Sequence, residues 1–231
     1  MNNSSVTGTT TNTLKSKKKA KLSYYQLFWI FFFGSFIGVV IESLWCLSQR
    51  GYIESRVGLL YGPFNTVYGF GAVAMTIAAN RMTRTNSVVV FLVTGFVGGA
   101  FEYICSVFQE FVFGTVSWEY SHSKLNIGGR TNLKYAVFWG ILGLIWVKFF
   151  YPWYSAQLEK IPKKPFFIIT IVLTVFMVLN IVVTFLAVSR QSQRYDHVPA
   201  TNPIARALDK YYPDEYLVKK FPNSMRAEQF R

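Results

Sequence analysis

Two glutamates lie inside long apolar stretches of the sequence, where a carboxylate is rare. Glu42 and Glu102 are sixty residues apart, and Glu110 follows eight residues after Glu102. A charge near the centre of a bilayer is costly, so it usually faces a bundle interior or a water cavity and has a polar or cationic partner. We interpret these acids as a binding or proton-linked site within the membrane. The alternative is a structural carboxylate that is neutral or hydrogen-bonded to a neighbouring helix.

Two arginines are natural counter-charges for these acids. Arg56 and Arg130 each lie in a polar segment that follows a glutamate-bearing apolar stretch. A guanidinium can hold a carboxylate or a phosphate in a two-pronged hydrogen bond. The functional interpretation is a clamp on an anionic group, such as a lipid phosphate. A salt bridge within the loop, or a side chain that reaches toward the membrane surface, explains the same residues equally well.

Aromatic and polar side chains accompany Arg130 in its loop. Aromatic residues commonly form belts at the level of the lipid headgroups. A belt explains the run from Trp118 to Ser121 less well, because this run lies in a polar loop. The candidate binding residues are therefore Glu42, Glu102, Glu110, Arg56, Arg130, Trp118, Tyr120 and Asn126.

Long apolar stretches must position these side chains. The chain of 231 residues is 52% hydrophobic and only 15% charged, whereas soluble domains have about 25% charged residues. A bilayer core of about 30 Å needs roughly 20 apolar helical residues. We predict an all-α integral membrane protein with about five transmembrane helices in residues 24–189, preceded by a disordered basic tail (1–23) and followed by a polar basic tail (190–231). The predicted spans are 24–47, 62–80, 87–113, 133–151 and 165–188.

Stripes of small residues surround Glu42 and Glu102. The two stripes are Gly34, Gly38, Glu42 and Cys46, and Thr94, Gly98, Glu102 and Ser106. Residues four apart share a helix face, and small residues permit close helix approach. We therefore expect the stripes to pack against each other and to bring the two glutamates to a shared polar site.

Each stripe is followed by an arginine-bearing loop and then by an aromatic–glycine pair, Tyr68-Gly69 or Trp139-Gly140. This order predicts that the first four spans are two copies of one helical hairpin in the same orientation. Chance recurrence of glycine stripes in membrane helices is the alternative.

The run from Tyr61 to Ala72 is unusual for a plain span. Its Gly-Pro pair indicates a turn or a helix start, and its later glycines permit either a local break or a tight helix–helix seam. A broken helix could expose backbone groups to a ligand. The residues to which we assign a structural role here and in the stripes are Gly38, Gly62, Pro63, Tyr68, Gly69 and Gly98.

The net charge of +13 does not indicate a nucleic-acid-binding protein, because the basic residues flank the apolar runs. That placement is typical of topology signals and of contact with anionic lipid headgroups, and it favours a cytoplasmic N-terminus in the cell membrane. Cys46 and Cys105 have neither metal-site spacing nor a disulfide pattern. The sequence contains no phosphate-binding loop, H-E-x-x-H or G-x-S-x-G motif, so we expect neither an enzyme nor a cofactor or metal site.

The motifs together resemble a known family. The elements that carry the resemblance, over about residues 28–224, are Gly38 with Glu42, Gly62-Pro63-Phe64, Tyr68-Gly69-Phe70-Gly71-Ala72, Glu102-Tyr103 with Ser106 and Glu110, Trp118-Glu119-Tyr120-Ser121, Asn126, Gly129-Arg130, Trp139-Gly140, Tyr212-Pro213-Asp214-Glu215 and Phe221-Pro222-Asn223. In these the chain resembles the ABC-transporter type IV, or CmpB-like permease, family of bacterial membrane proteins. Asn65-Thr66 replaces the Cys-Pro of the family, and Glu119 replaces its Asp. The resemblance implies a permease subunit that pairs with a separate ATPase.

Two functional hypotheses follow. The first is a permease-like subunit whose polar site is lined by Glu42, Glu102 and Arg130. Five helices make a small pathway, so this hypothesis includes a homo-oligomer or a partner chain. The second is a non-transporting protein that binds membrane lipid or acts as a scaffold, in which the aromatic loops and basic flanks matter more than the glutamates. An enzyme that acts on lipid headgroups ranks last, because no nucleophile–base pair is visible. Neither the substrate nor the energy source follows from the sequence.

Overall fold

The structure, a computed structural model, describes residues 22–80, 82–160 and 163–230, so most of the predicted N-terminal tail lies outside it. The helices are α1 (Tyr24–Arg50), α2 (Thr66–Ala79), α3 (Ser87–Phe113), α4 (Leu133–Ile145), α5 (Tyr151–Lys160), α6 (Lys163–Tyr195), α7 (Pro203–Tyr211) and α8 (Asp214–Lys220). A π-helical turn, Trp146–Phe150, joins α4 to α5. The short strands are β1 (Thr115–Val116), β2 (Asn126–Ile127), β3 (Thr131–Asn132) and β4 (Met225–Arg226). The prediction of an all-α membrane protein is confirmed.

In the described part of the chain, four helical segments are long and apolar enough to cross a membrane. They are Tyr24–Arg50, Ser87–Phe113, Leu133–Gln157 and Phe166–Tyr195. The second predicted span is shorter: α2 has 14 residues and begins at Thr66, after the side chain of Asn65 caps the backbone N–H of Val67. The helix starts later than predicted because Gly62 adopts a φ of 75°, a left-handed conformation that ends any regular helix at that point.

The two predicted hairpins pack in the same register. A Cβ on Gly38 would overlap the ring of Tyr68, and a Cβ on Gly98 would overlap the ring of Trp139. One turn earlier, Gly34 lies against Ala72 of α2, and Thr94 lies against Gly143 of α4. Positions in α1 therefore correspond to positions in α3 that lie sixty residues later, and positions in α2 correspond to positions in α4 that lie seventy-one residues later.

The stripes, however, do not pack against each other as we expected. Gly34 and Gly38 face α2 of their own hairpin, and Gly98 faces α4 of its own. The large rings of Tyr68 and Trp139 fill the grooves that the small residues leave. Each glutamate is therefore placed within its own hairpin and not at a direct α1–α3 contact.

The segment 51–65, which we call the first loop, reaches into the middle of the helical bundle. The N–H of Asn65 donates to the carbonyl of Ser35, near the middle of α1, at 3.0 Å. Asn180, near the middle of α6, accepts from the N–H of Tyr61 at 3.1 Å and donates to its carbonyl at 2.7 Å. Backbone groups at membrane depth must be paired within the protein. The first loop and α2 together therefore make a broken fifth crossing.

The C-terminal region folds over the same end of the bundle. Strand β4 pairs with β1, with Arg226 opposite Thr115, and Ser55 of the first loop donates to the carbonyl of Lys220 at 2.8 Å. Leu217 of α8 is buried against Leu60 of the first loop. The first loop, the segment 114–132 (the second loop) and the C-terminal region thus meet at one end of the molecule.

Candidate functional site

The second loop is a folded unit and not a flexible connection. Its strands β2 and β3 pair antiparallel, with Ile127 opposite Thr131, and the N–H of Tyr120 donates to the carbonyl of Gly129 at 2.7 Å. The Trp118 indole donates to the carbonyl of Arg130 at 2.9 Å. These bonds hold the side chains of Tyr120, Arg130 and Thr131 against α3.

Glu102 is held by two hydroxyl groups of this loop. It lies near the middle of α3 and is only 7% exposed. The Tyr120 hydroxyl donates to one carboxyl oxygen at 3.0 Å, and the Thr131 hydroxyl donates to the other at 2.8 Å. The carboxyl group therefore has the polar neighbours that a position at membrane depth requires.

Arg130 pairs with Glu110 and not with Glu102. Its guanidinium forms an ion pair with Glu110 and donates to the Ser106 hydroxyl at 3.1 Å. The guanidinium carbon also lies 6.0 Å from the centroid of the Tyr103 ring. A cavity of about 130 Å³ opens beside this pair, and it is lined by Ser106, Glu110, Val116, Trp118, Glu119, Ser121, Gly128, Gly129, Arg130 and Ala227.

The first hairpin carries a matching cluster. The Tyr68 hydroxyl donates to Glu42, and Arg56 lies 3.5 Å from the other oxygen of that carboxyl group. Arg56 also pairs with Glu54 at 2.7 Å and points a guanidinium nitrogen at the Cys46 sulfur at 3.4 Å. Burial and ion pairing thus hold Arg56 in place at the end of α1.

Aromatic rings connect Tyr120 of the second cluster to α1 of the first hairpin. Tyr120 stacks on Tyr135 with 4.7 Å between ring centroids, and Phe138 lies between Tyr135 and Trp45 of α1. The Tyr120 hydroxyl donates to Glu102, so this series of rings runs from the second cluster to α1 of the first hairpin.

Not all the candidate residues lie at the cavity. Asn126 accepts from the N–H of Gly129 at 2.9 Å and donates to the Ser123 carbonyl at 2.7 Å, so it shapes the second loop from within. Thr131 and Glu54 are site residues that the sequence reasoning missed. Thr131 stands between Arg130 and the helix-capping Asn132, and that position beside a helix start is the signal that could have identified it.

Metal-binding clusters are absent from the described ranges, where no group of three or more His, Cys, Asp or Glu side chains has a suitable arrangement. Cys46 and Cys105 are both free thiols. The polar groups of the site are thus carboxylates, guanidinium groups and hydroxyls, which suit an ionic or hydrogen-bonding ligand.

Comparison with known proteins identifies the family. The model of the family described as "Putative ABC-transporter type IV" matches residues 29–185, from α1 into α6 and through both hairpins. No curated protein and no solved structure matches the chain. The matched region includes both glutamate clusters and covers all or most of each of the four apolar segments long enough to cross a membrane. The chain therefore belongs to the ABC-transporter type IV family and is a multi-pass, permease-like membrane protein.

Proposed function

We propose that the protein is the membrane subunit of a transporter and that Glu42, Glu102 and Arg130 line the polar site that a small solute occupies. The observation that supports this most is the placement of Glu102. Its carboxyl group is buried near the middle of an apolar helix and is bonded to Tyr120 and Thr131. One helical turn away, Ser106 borders an open polar cavity.

The broken crossing formed by the first loop and α2 supports the same function. Discontinuous helices that begin near the membrane midplane are a common way to build a substrate site in transporters, because helix ends and irregular backbone offer polar groups at depth. Here α2 begins beside Ser35 of α1, and the first loop packs against α6. Four long helices and one short helix make a narrow pathway, so we expect a homo-oligomer or a partner chain to complete it.

A separate ATP-hydrolysing subunit is the partner that the family name suggests. The chain itself has no G-x-x-x-x-G-K-[ST] sequence, the loop that cradles nucleotide phosphates in many ATPases. In this proposal the N-terminal end of α1, with its preceding lysines, faces the cytoplasm, where such a subunit would bind.

The test compares wild-type protein with the Glu102→Gln variant. Both are purified, incubated with a metabolite extract and analysed by mass spectrometry for retained solutes. Any solute that the wild type enriches is then loaded for uptake into proteoliposomes. We expect Glu102→Gln to remain folded in the membrane and to lose both enrichment and uptake. Equal retention and uptake by the two proteins would rule out the carboxylate site.

A lipid-binding function is the second candidate, and a groove favours it. The groove, of about 410 Å³, lies between α6 and α7 and is lined by apolar Leu186 and Ile204 together with polar Ser189 and Asn202. This alternative also assigns lipid contact to the aromatic and basic residues of the second loop, so changes to Arg130 and Trp118 should impair function more than Glu102→Gln. Mass spectrometry of the protein in mild detergent distinguishes the two, because a retained lipid favours this function and a co-purified ATPase favours transport.

A further inference from the structure

The two hairpins hold their arginines at equivalent positions. Arg56 donates to the sulfur of Cys46 at 3.4 Å, and Arg130 donates to the hydroxyl of Ser106 at 3.1 Å. Cys46 and Ser106 are related by the same sixty-residue offset that relates the two glutamates. The repeat therefore places one guanidinium about one helical turn beyond each glutamate.

The charges around these arginines nevertheless differ. One turn beyond Cys46, the first hairpin has Arg50, whereas the equivalent position in the second hairpin is Glu110. Arg56 lies 3.5 Å from Glu42, the intramembrane acid of its own hairpin. Arg130 pairs instead with Glu110. In the second hairpin, Arg130 thus pairs with the additional acid Glu110 and not with Glu102, the acid equivalent to Glu42.

Glu102 consequently has only neutral neighbours in the described part of the chain. Among those residues, no Lys, Arg or His forms an ion pair with it within 4.0 Å. The groups that face it are the hydroxyls of Tyr120 and Thr131 from the second loop, the indole of Trp139 from α4 and the thiol of Cys105 on α3 itself. An uncompensated carboxylate at this depth is costly, so a positive charge from outside the protein would stabilise it.

We propose that Glu102, with the hydroxyl oxygens of Tyr120 and Thr131, binds one exchangeable monovalent cation, either a proton or an alkali ion. Glu110 keeps the site available, because it holds Arg130 at the cavity. In the first hairpin, by contrast, Arg56 lies within ion-pair distance of Glu42, although it also pairs with Glu54. The coupling of this cation to solute movement rests on the proposed function, but its binding does not.

Infrared difference spectroscopy of the full-length protein in liposomes tests the proposal. One perfusion changes the pH at fixed sodium concentration, and a second exchanges sodium or potassium for choline at fixed pH. We expect one perfusion to change carboxyl bands that Glu102→Gln removes: the first if the cation is a proton, the second if it is an alkali ion. Either result supports the site and identifies its ligand. The absence of a Glu102-dependent change in both perfusions overturns it.

Two further variants keep the test decisive. Glu110→Gln frees Arg130 to turn toward Glu102 and should strongly reduce the Glu102-dependent bands; unchanged bands would refute the role of Glu110. Glu215→Gln makes the same chemical change at an exposed position on α8 and should leave those bands intact. Size-exclusion profiles and circular dichroism identify any variant that is not folded.

The same proteins separate this inference from the proposed function. If Glu102 exchanges a cation while Glu102→Gln still transports solute, the proposed function fails and the cation site stands. If Glu102→Gln abolishes transport but no perfusion gives a Glu102-dependent band, the cation site fails and the proposed function stands.

Discussion

Each of the two loops brings the chain back into the bundle to the level of its hairpin's glutamate, Glu42 or Glu102. The hydrogen-bond partners of the two loop backbones, however, come from different parts of the protein. The first loop pairs partly within itself, where Gly58 and Leu59 donate to the Phe64 carbonyl, but α6 also bonds it directly. Asn180 of α6 bonds both backbone groups of Tyr61, and Thr184 accepts from the N–H of Leu60 at 3.0 Å. The second loop is paired largely to itself through β2 and β3. Its contacts with α3 are made by the side chains of Tyr120, Arg130 and Thr131.

This difference indicates why the cavity lies in the second hairpin. Irregular backbone within a membrane is stable only if its polar groups are bonded in the protein. When a neighbouring helix supplies those bonds, as α6 does, Leu59 and Leu60 become fully buried. When the loop supplies them itself, side chains such as Arg130 can face an open cavity.

The largest expected effect comes from filling the seam inside a hairpin. In Gly98→Val, the new side chain overlaps the ring of Trp139, and in Gly38→Val it overlaps that of Tyr68. Overpacking a tight contact typically costs about 1–3 kcal/mol, and here a large ring must leave its groove, so we expect about 3 kcal/mol. Thermal unfolding in detergent, with the yield of folded protein, measures the loss.

Gly71→Ala is the matched control, because a Cβ there would lie 3.5 Å from Phe101, an ordinary contact distance. It should change the unfolding temperature little. If Gly98→Val is severe and Gly38→Val is harmless, the two hairpins are not equivalent and the comparison fails.

A smaller loss of stability is expected from removing the hydrogen bonds between the first loop and α6. Asn180→Leu removes the partner of the Tyr61 N–H and carbonyl while keeping a similar volume. Leaving a buried polar group unpaired costs about 1–3 kcal/mol, so we expect about 2 kcal/mol of destabilisation. Hydrogen exchange should increase in residues 57–65 and stay unchanged in the second loop.

The matching change in the second loop is Asn126→Leu. It should increase exchange within residues 118–132 only, because the bonds of Asn126 to Ser123 and Gly129 are internal to that loop. Increased exchange in both loops after either substitution would contradict the view that the loops are paired independently.

The sequence predicts the parts of this fold that depend on local patterns. The apolar run alone predicts the third span at residues 87–113, which are the bounds of α3; in the structure the helix ends at Gly114, which has a left-handed φ of 65°. The glutamates were identified by their cost in an apolar setting, and the small residues by their spacing. Each of these signals is contained within about thirty residues.

Features that depend on distant partners were not predictable. The pairing of the Tyr61 backbone in the middle of the bundle depends on Asn180, more than a hundred residues away in the chain. The choice of Arg130 between Glu102 and Glu110 depends on how the second loop folds, and the packing of each stripe within its own hairpin depends on which ring fills the groove. Sequence spacing shows which residues share a helix face, but not which helix they meet.

A modest effect is expected from loosening Arg130 within the second loop. Trp118→Phe keeps an aromatic ring but removes the indole N–H that donates to the Arg130 carbonyl. The loss of one hydrogen bond costs about 1 kcal/mol. We expect this destabilisation with an altered Arg130 environment, measured by thermal unfolding and by the bands of the arginine side chain in infrared spectra.

The control is Trp45→Phe at an exposed position of α1. Surface substitutions of this kind usually change stability by less than about 0.5 kcal/mol. A larger loss for Trp45→Phe than for Trp118→Phe would show that ring contacts between the hairpins, and not the pairing of the second loop, govern stability here.

The smallest expected effect concerns the C-terminal region, which touches both loops. Arg190 donates to both oxygens of Asp209 at 2.9 and 3.0 Å, and these bonds, supported by Arg194, hold the pKa of Asp209 below its ordinary value of 3.8. A carboxylate with a lowered pKa stabilises the fold above that ordinary value. This contribution is lost as the pH falls below 3.8 and through the pKa of the folded protein.

Stability measured from neutral to acidic pH should therefore decrease less steeply in Asp209→Asn than in the wild type, although the variant is less stable at neutral pH. Because α7 and α8 pack on α6 above both loops, acidification should increase hydrogen exchange in the first and second loops together. If acidification increased hydrogen exchange in the second loop only, the C-terminal region would stabilise only the second hairpin, which contains the cavity. The first loop would then depend on α6 alone, and the contrast between the loops would be sharper than the contacts at Ser55 and Thr115 indicate.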